Sequence, residues 1–157
     1  MGQQVHKYEN LLNRDFSADR PNAKWVTDIS YIHTGQGVLY LSMIRDLYDN
    51  SIVAYKTGTE QTVNLVLKTI QAALKKEMVT GELCLHSDQG FQYTSQAYFN
   101  LTKDYGITPS MSRRGNCYDN ALAENFFSIL KTECIYRYKT ATLSEARQLI
   151  DEYIDFY

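Results

Sequence analysis

The chain is poor in the residues that staple or bend a protein. Of its 157 residues, three are cysteine and two are proline. Cys84, Cys117 and Cys134 are odd in number and form no Cys-x-x-Cys pair. That argues against a disulfide framework or a zinc ribbon and favours a reducing compartment. No apolar run is long enough to span a membrane. The opening residues, Met1-Gly2-Gln3-Gln4-Val5-His6, have no signal-peptide core, and His6 stands where a myristoylation pattern needs Ser or Thr. Excess positive charge is also lacking: 16 Lys and Arg against 18 Asp and Glu leave a net charge of −2. Affinity for nucleic acid comes mostly from cations meeting phosphates. The balance argues against a self-sufficient DNA binder. It leaves room for a metal-dependent core whose grip on DNA another domain supplies.

What is present is a folding composition. The hydrophobic fraction is 44%, and there are 13 tyrosines. The length suffices for one domain with its own core. Residues 1–23 are polar and mixed and read as an N-terminal arm or linker. From Lys24 the pattern turns to strands: Trp25 to Ile32, a turn at Gly35-Gln36-Gly37, Val38 to Ile44, a polar turn at Asp46 to Asn50, and Ile52 to Lys56. Short turns between them predict an antiparallel meander. The period then becomes helical, with Val63, Leu67, Ile70 and Leu74 across Thr62 to Lys76 and Thr62 as the cap. Leu83 to His86 is a short buried strand. A helix capped by Thr94 or Ser95 runs to Asp104, and Gly106 to Ser110 is a further strand. Helices follow from about Asp119 into the 130s and from Leu143 onward, the second with Ser144 as its cap. The order β-β-β-α-β-α-β-α-α predicts an α/β fold, a mixed sheet with helices on its faces.

Three carboxylates stand out within this pattern: Asp28 in Trp25-Val26-Thr27-Asp28-Ile29-Ser30-Tyr31-Ile32, Asp88 in His86-Ser87-Asp88-Gln89-Gly90-Phe91-Gln92-Tyr93, and Glu124 in Asp119-Asn120-Ala121-Leu122-Ala123-Glu124-Asn125-Phe126-Phe127. Thirty-five residues separate Asp88 from Glu124, and Lys131 follows Glu124 by seven. Each has a plainer reading when taken alone. Asp28 could be a surface residue on an edge strand, Asp88 a turn former before Gly90, and Glu124 part of a solvated helix face. On a helical wheel Asn120, Glu124, Ser128 and Lys131 form a polar stripe about 80° wide beside an apolar arc of Ala123, Phe126, Phe127 and Leu130. Taken together, three oxygen ligands in this order suit two divalent cations set about 4 Å apart at a phosphodiester. Mg²⁺ prefers such hard donors and keeps much of its own water.

With these motifs the chain resembles the catalytic core of bacterial insertion-sequence transposases in the retroviral-integrase superfamily, insertion sequence family three in particular. The resemblance is carried by the three segments above, the second extending to Ser95 and the third running from Ser110 through Arg113-Arg114-Gly115-Asn116 to Lys131. It covers roughly Lys24 to Tyr157. It implies a ribonuclease-H-like mixed five-stranded sheet with helices on both faces, an integrase-type core over 24–157, and a missing C-terminal end of the family pattern. It also implies Asp28, Asp88 and Glu124 as catalytic metal ligands for two Mg²⁺ or Mn²⁺ ions. The implied activity is DNA 3′-end cleavage and strand transfer during transposition, DNA integration and recombination. Transposon-end and target DNA are the implied partners, through a homo-oligomer in the cytoplasm at the nucleoid, with no membrane. Lys131 is the implied contact to end DNA, and Arg113, Arg114, Asn120 and Gln89 are further candidates. Tyr93, Tyr98, Tyr105 and Tyr118 could stack on bases or simply pack. A structure-specific nuclease of the same fold, or a non-catalytic DNA-tethering or oligomerisation remnant, are the rival readings.

Overall fold

The computed structural model describes residues 5–12, 15, 17–60, 62–112 and 142–156. Five strands, β1 (Lys24–Thr34), β2 (Gly37–Asp46), β3 (Ile52–Gly58), β4 (Leu83–Ser87) and β5 (Ile107–Met111), form one sheet in the order β3-β2-β1-β4-β5. The first three pair antiparallel, as their short turns require. β4 and β5 add in parallel to β1, each after a helical crossover: α1 (Val63–Lys76), then α2 (Gln96–Asp104). A third helix, α3 (Leu143–Phe156), closes the described chain.

Alternation along the strands assigns the two faces. Trp25, Ile44 and Leu85 point into a core shared with Val66 and Ile70 of α1 and Tyr98 and Leu101 of α2. Leu39, Leu41 and Met43 point the other way, onto Ala146 and Ile150 of α3. Helices therefore cover both faces. Thr62 caps α1, with its side chain accepting from Leu65 N, and Ser95 caps α2 through Tyr98 N. The cap of α3 is Thr142, whose hydroxyl accepts from Glu145 N at 3.1 Å. The expected Ser144 lies one residue inside the helix instead. Both residues carry a suitable hydroxyl, and the choice depends on where the backbone turns into the helix.

The arm is packed against the sheet. Leu12 is buried with Val26 of β1 and Leu47. Met111 N donates to Glu9 O at 3.1 Å, and Leu11 N donates to Ser110 Oγ at 2.8 Å, so the arm runs along β5. The His6 ring stacks on Phe99 with centroids 4.1 Å apart. The predicted helix from Asp119 into the 130s, and the Arg113 to Asn116 loop, lie outside the described residues.

Candidate active site

Strand pairing brings the first two carboxylates together. β1 is a central strand, with β2 on one side and β4 on the other. The reading of Asp28 as an edge-strand surface residue is thereby excluded. Aspartate is disfavoured in such a strand, yet Asp28 sits half-buried there, across from Met43 on β2. On its other side the parallel register pairs Lys24 with Cys84, Trp25 with Leu85 and Val26 with His86. Continued two residues, that register sets Asp28 level with Asp88, which leaves the end of β4. The pairing itself ends at Val26 and His86, so each acid stands two residues past the last paired position.

Local bonds fix both side chains. Asp28 Oδ1 accepts from Ile29 N at 2.8 Å. Asp88 Oδ1 accepts from Gly90 N at 2.7 Å, an Asx turn. Asp88 is thus a turn former and a site candidate at once. Gly90 fits closely here: a Cβ would lie 2.9 Å from Asp88 Oδ1 and 3.0 Å from Gln92 Oε1, so one or both side-chain ends would have to shift. The turn continues with Tyr93 N donating to Gly90 O at 3.0 Å. The Gln89 amide donates to Ser112 O at 3.1 Å, and Ser112 N donates to Ser87 O at 2.9 Å. These bonds tie the Asp88 loop to the end of β5, the point from which the chain leads toward Glu124.

Behind the acids the polar groups are buried. His86 Nδ1 lies 2.8 Å from Ser110 Oγ, which makes His86 a core histidine of the strand end. Tyr93 and Tyr98 are 1% and 0% exposed, so neither can stack on a base; they meet edge to face at 5.6 Å. Burial, and then the charges of Asp28 and Asp88, hold the Tyr93 phenol well above its ordinary range. The same ring is near Thr27, yet neither hydroxyl completes a regular hydrogen bond. Gln92 Nε2 is likewise buried without a partner. A donor stranded in this way costs about 1–3 kcal/mol. The sequence pattern marked the acids and passed over Thr27 and Gln92, because burial of a polar group leaves no mark in a motif.

Of the predicted site residues, Asp28 lies midway along β1, and Asp88 and Gln89 lie just past the end of the neighbouring β4. Glu124, Arg113, Arg114, Asn120 and Lys131 lie outside the described residues. Among the described residues no three His, Cys, Asp or Glu side chains converge as a metal site. The Asp28 and Asp88 pair nonetheless offers oxygen donors alone, the chemistry that Mg²⁺ or Mn²⁺ takes. Asp46 and Asp49 are turn residues, as expected: Asp46 accepts from Asn22 N and Tyr48 N, and Asp49 from Ser51 N. Away from this site, Asn50, Val53, Tyr55, Lys76 and Ile154 help line an open groove of about 750 Å³ between β3, α1 and α3. It contains neither Asp28 nor Asp88. Among the described residues no helix is long and apolar enough to cross a membrane.

A mixed five-stranded sheet with this strand order, with one acid midway along β1 and another just past β4, fits the ribonuclease-H-like fold of retroviral integrase cores. The structure resembles a simian T-cell lymphotropic virus intasome chain with a TM-score of 0.72 and 17% identity, over 94% of this chain and 52% of that one. It resembles the HTLV-2 integrase catalytic core domain in complex with magnesium with a TM-score of 0.60 and 17% identity, over 73% of this chain and 70% of that one. Integrase core domain families match residues 18–117 and 105–157. The putative transposase InsK for insertion sequence element IS150 of Escherichia coli K12 is 43% identical over 94% of this chain and 52% of its own length. A transposase-like protein of Haemophilus influenzae is 41% identical over 99% of this chain and 72% of its own length. The transposase InsF for IS3A of Escherichia coli K12 is 37% identical over 94% and 51%. The chain belongs to the integrase core domain family, on its insertion-sequence transposase branch. It spans about half the length of the InsK and InsF relatives.

Proposed function

We propose that the chain is the catalytic core of an insertion-sequence transposase, a DDE-type polynucleotidyl transferase that cleaves DNA 3′ ends and joins them to target DNA. The observation that supports this reading is the parallel pairing of β1 with β4, which ends at Val26 and His86, two residues before Asp28 and Asp88. Asp28 and Asp88 would hold divalent cations, with Glu124 of the sequence motif as the third ligand. Such cations supply an activated water or hydroxyl and neutralise charge on the scissile phosphate. The protein's own part is placement. Ile29 N and Gly90 N each hold one carboxylate oxygen, and the Gln89 to Ser112 bond anchors the Asp88 loop. The HTLV-2 core is a fold neighbour solved with magnesium, and the oxygen donors here suit Mg²⁺ or Mn²⁺, two ions in all.

Contact with DNA is assigned to Lys131, Arg113, Arg114, Asn120 and Gln89. Phe91 joins them, because it stands 57% exposed three residues after Asp88 and an open aromatic ring can stack on a base. Transposon ends and target DNA are the partners at the nucleoid, engaged as a homo-oligomer. The reading is tested with Mn²⁺, a duplex bearing the element's terminal repeat and a supercoiled target. Cleavage with joining, lost in Asp28→Asn and Asp88→Asn, is the expected result. Cleavage without joining would make the chain a nuclease, and neither step would make it a remnant.

A further inference from the structure

We infer that the N-terminal arm, residues 6–12, braces the Asp88 loop, so that arm docking and cation capture by Asp28 and Asp88 reinforce each other. The inference rests on the reading of those acids as a metal site. The arm wraps the edge of β5. Tyr8 packs on the Trp25 face of the sheet and Leu12 on the Val26 face. Between them Met111 N donates to Glu9 O at 3.1 Å, and Leu11 N donates to Ser110 Oγ at 2.8 Å. At the start of the arm His6 N donates to Thr94 O at 2.9 Å. The His6 ring stacks on Phe99, and its Nε2 lies 2.7 Å from Gln96 Oε1.

These bonds reach the Asp88 loop at both of its ends. On the entry side, Ser110 and Met111 pair with His86 and Ser87, the two residues before Asp88. Ser110 Oγ accepts from Leu11 N and lies 2.8 Å from His86 Nδ1. One residue on, Ser112 N donates to Ser87 O, and Ser112 O accepts from the Gln89 amide. On the exit side, Thr94 N donates to Gly90 O at 3.3 Å, and Gly90 N donates to Asp88 Oδ1. The same Thr94 offers its carbonyl to His6. Leu12 packs against Val26, two residues before Asp28 in β1. An arm that only covered the edge of β5 would need the β5 bonds alone. The bond to Thr94 crosses to another element and closes a ring of hydrogen bonds around Asp88. An undocked arm opens that ring and frees the loop that aims Asp88. Coupling between two binding events is reciprocal. A docked arm therefore raises cation affinity, and a bound cation holds the arm down by the same factor.

The test is hydrogen exchange of the full chain with and without Mg²⁺, read amide by amide, beside a calorimetric Mg²⁺ titration. In the native chain, saturating Mg²⁺ is expected to slow exchange at His6, Leu11 and Met111 by about five-fold or more. That slowing should exceed any at Ile70 of α1, which serves as the reference for general tightening. Asp88→Asn is expected to lose the protection. His6→Ala combined with Leu11→Pro removes the ring stack and the Leu11 donor and leaves Leu12 in place. This variant is expected to fold and to bind Mg²⁺ about five-fold more weakly or worse. If it does not fold, exchange in the native chain decides the matter alone. Exchange at His6, Leu11 and Met111 that Mg²⁺ slows no more than at Ile70 would overturn the brace and leave the metal site standing, and so would native affinity in the folded variant. No Mg²⁺ binding by the native chain would overturn both.

Discussion

At the residue scale the site is defined by what surrounds Asp28 and Asp88. Gly90 is the tightest point, and Gly90→Ala must displace either the Asp88 carboxylate or the Gln92 amide. Overpacking of this kind costs about 1–3 kcal/mol, and Mn²⁺ affinity should fall with it; calorimetry and urea unfolding measure the two effects. Ser110 has two roles, on His86 Nδ1 and on Leu11 N. Ser110→Ala removes both contacts, and a fall in the urea midpoint at constant slope would show it. The acids were legible in the sequence because spacing and flanking residues are properties of the chain. The setting of Tyr93 was not, since stacking and packing give the same letter, and only the fold shows that the ring is sealed from solvent. The edge-strand alternative for Asp28 stays open in the sequence for a similar reason. The sequence shows a strand, whereas its neighbours come from later segments: Asp28 pairs with Met43 on β2, and β4 pairs with β1 in the register of Val26 with His86.

At the element scale the strand and helix order follows from periodicity. The meander, the two crossovers and the burial of Ile150 on α3 all follow from apolar spacing and short turns. The docking of the arm does not, because residues 5–12 alternate no apolar face and depend on partners on β5 and α2. Leu12→Ala removes an arm side chain that is 4% exposed beside Val26 and Leu47. A loss of about 2–4 kcal/mol is expected, several degrees of melting temperature in a domain of this size. On the other face, the Tyr55 hydroxyl donates to Asp151 Oδ1 at 2.7 Å and joins β3 to α3. Burial first, and then Asp151 and Asp155, push its pKa up from 10.0 to about 12. A raised phenol pKa means that the neutral form is favoured in the folded state. Its contribution is therefore complete below about pH 10 and is lost as pH rises toward 12. Tyr55→Phe should flatten that part of the alkaline stability curve relative to the native chain, as thermal melts at stepped pH would show. Tyr93 and Tyr98 are raised as well, so only the difference between the two proteins reports on Tyr55.

At the scale of the whole molecule, a net charge of −2 and a pair of acids at the mouth of the sheet give DNA little reason to bind unaided. One divalent cation neutralises the two carboxylates and a second makes the point positive, which ties the account of DNA chemistry to metal capture by Asp28 and Asp88. Two neighbouring carboxylates repel each other without a cation, so Mn²⁺ should also raise the melting temperature, by an amount that keeps growing with the logarithm of its concentration above Kd. The most direct test is a calorimetric Mn²⁺ titration of the native chain beside Asp28→Asn and Asp88→Asn. The account predicts that the native chain binds and that each substitution weakens binding by about ten-fold or more, with folding intact. Equal affinity in all three proteins would place the cation elsewhere and contradict the assignment of Asp28 and Asp88.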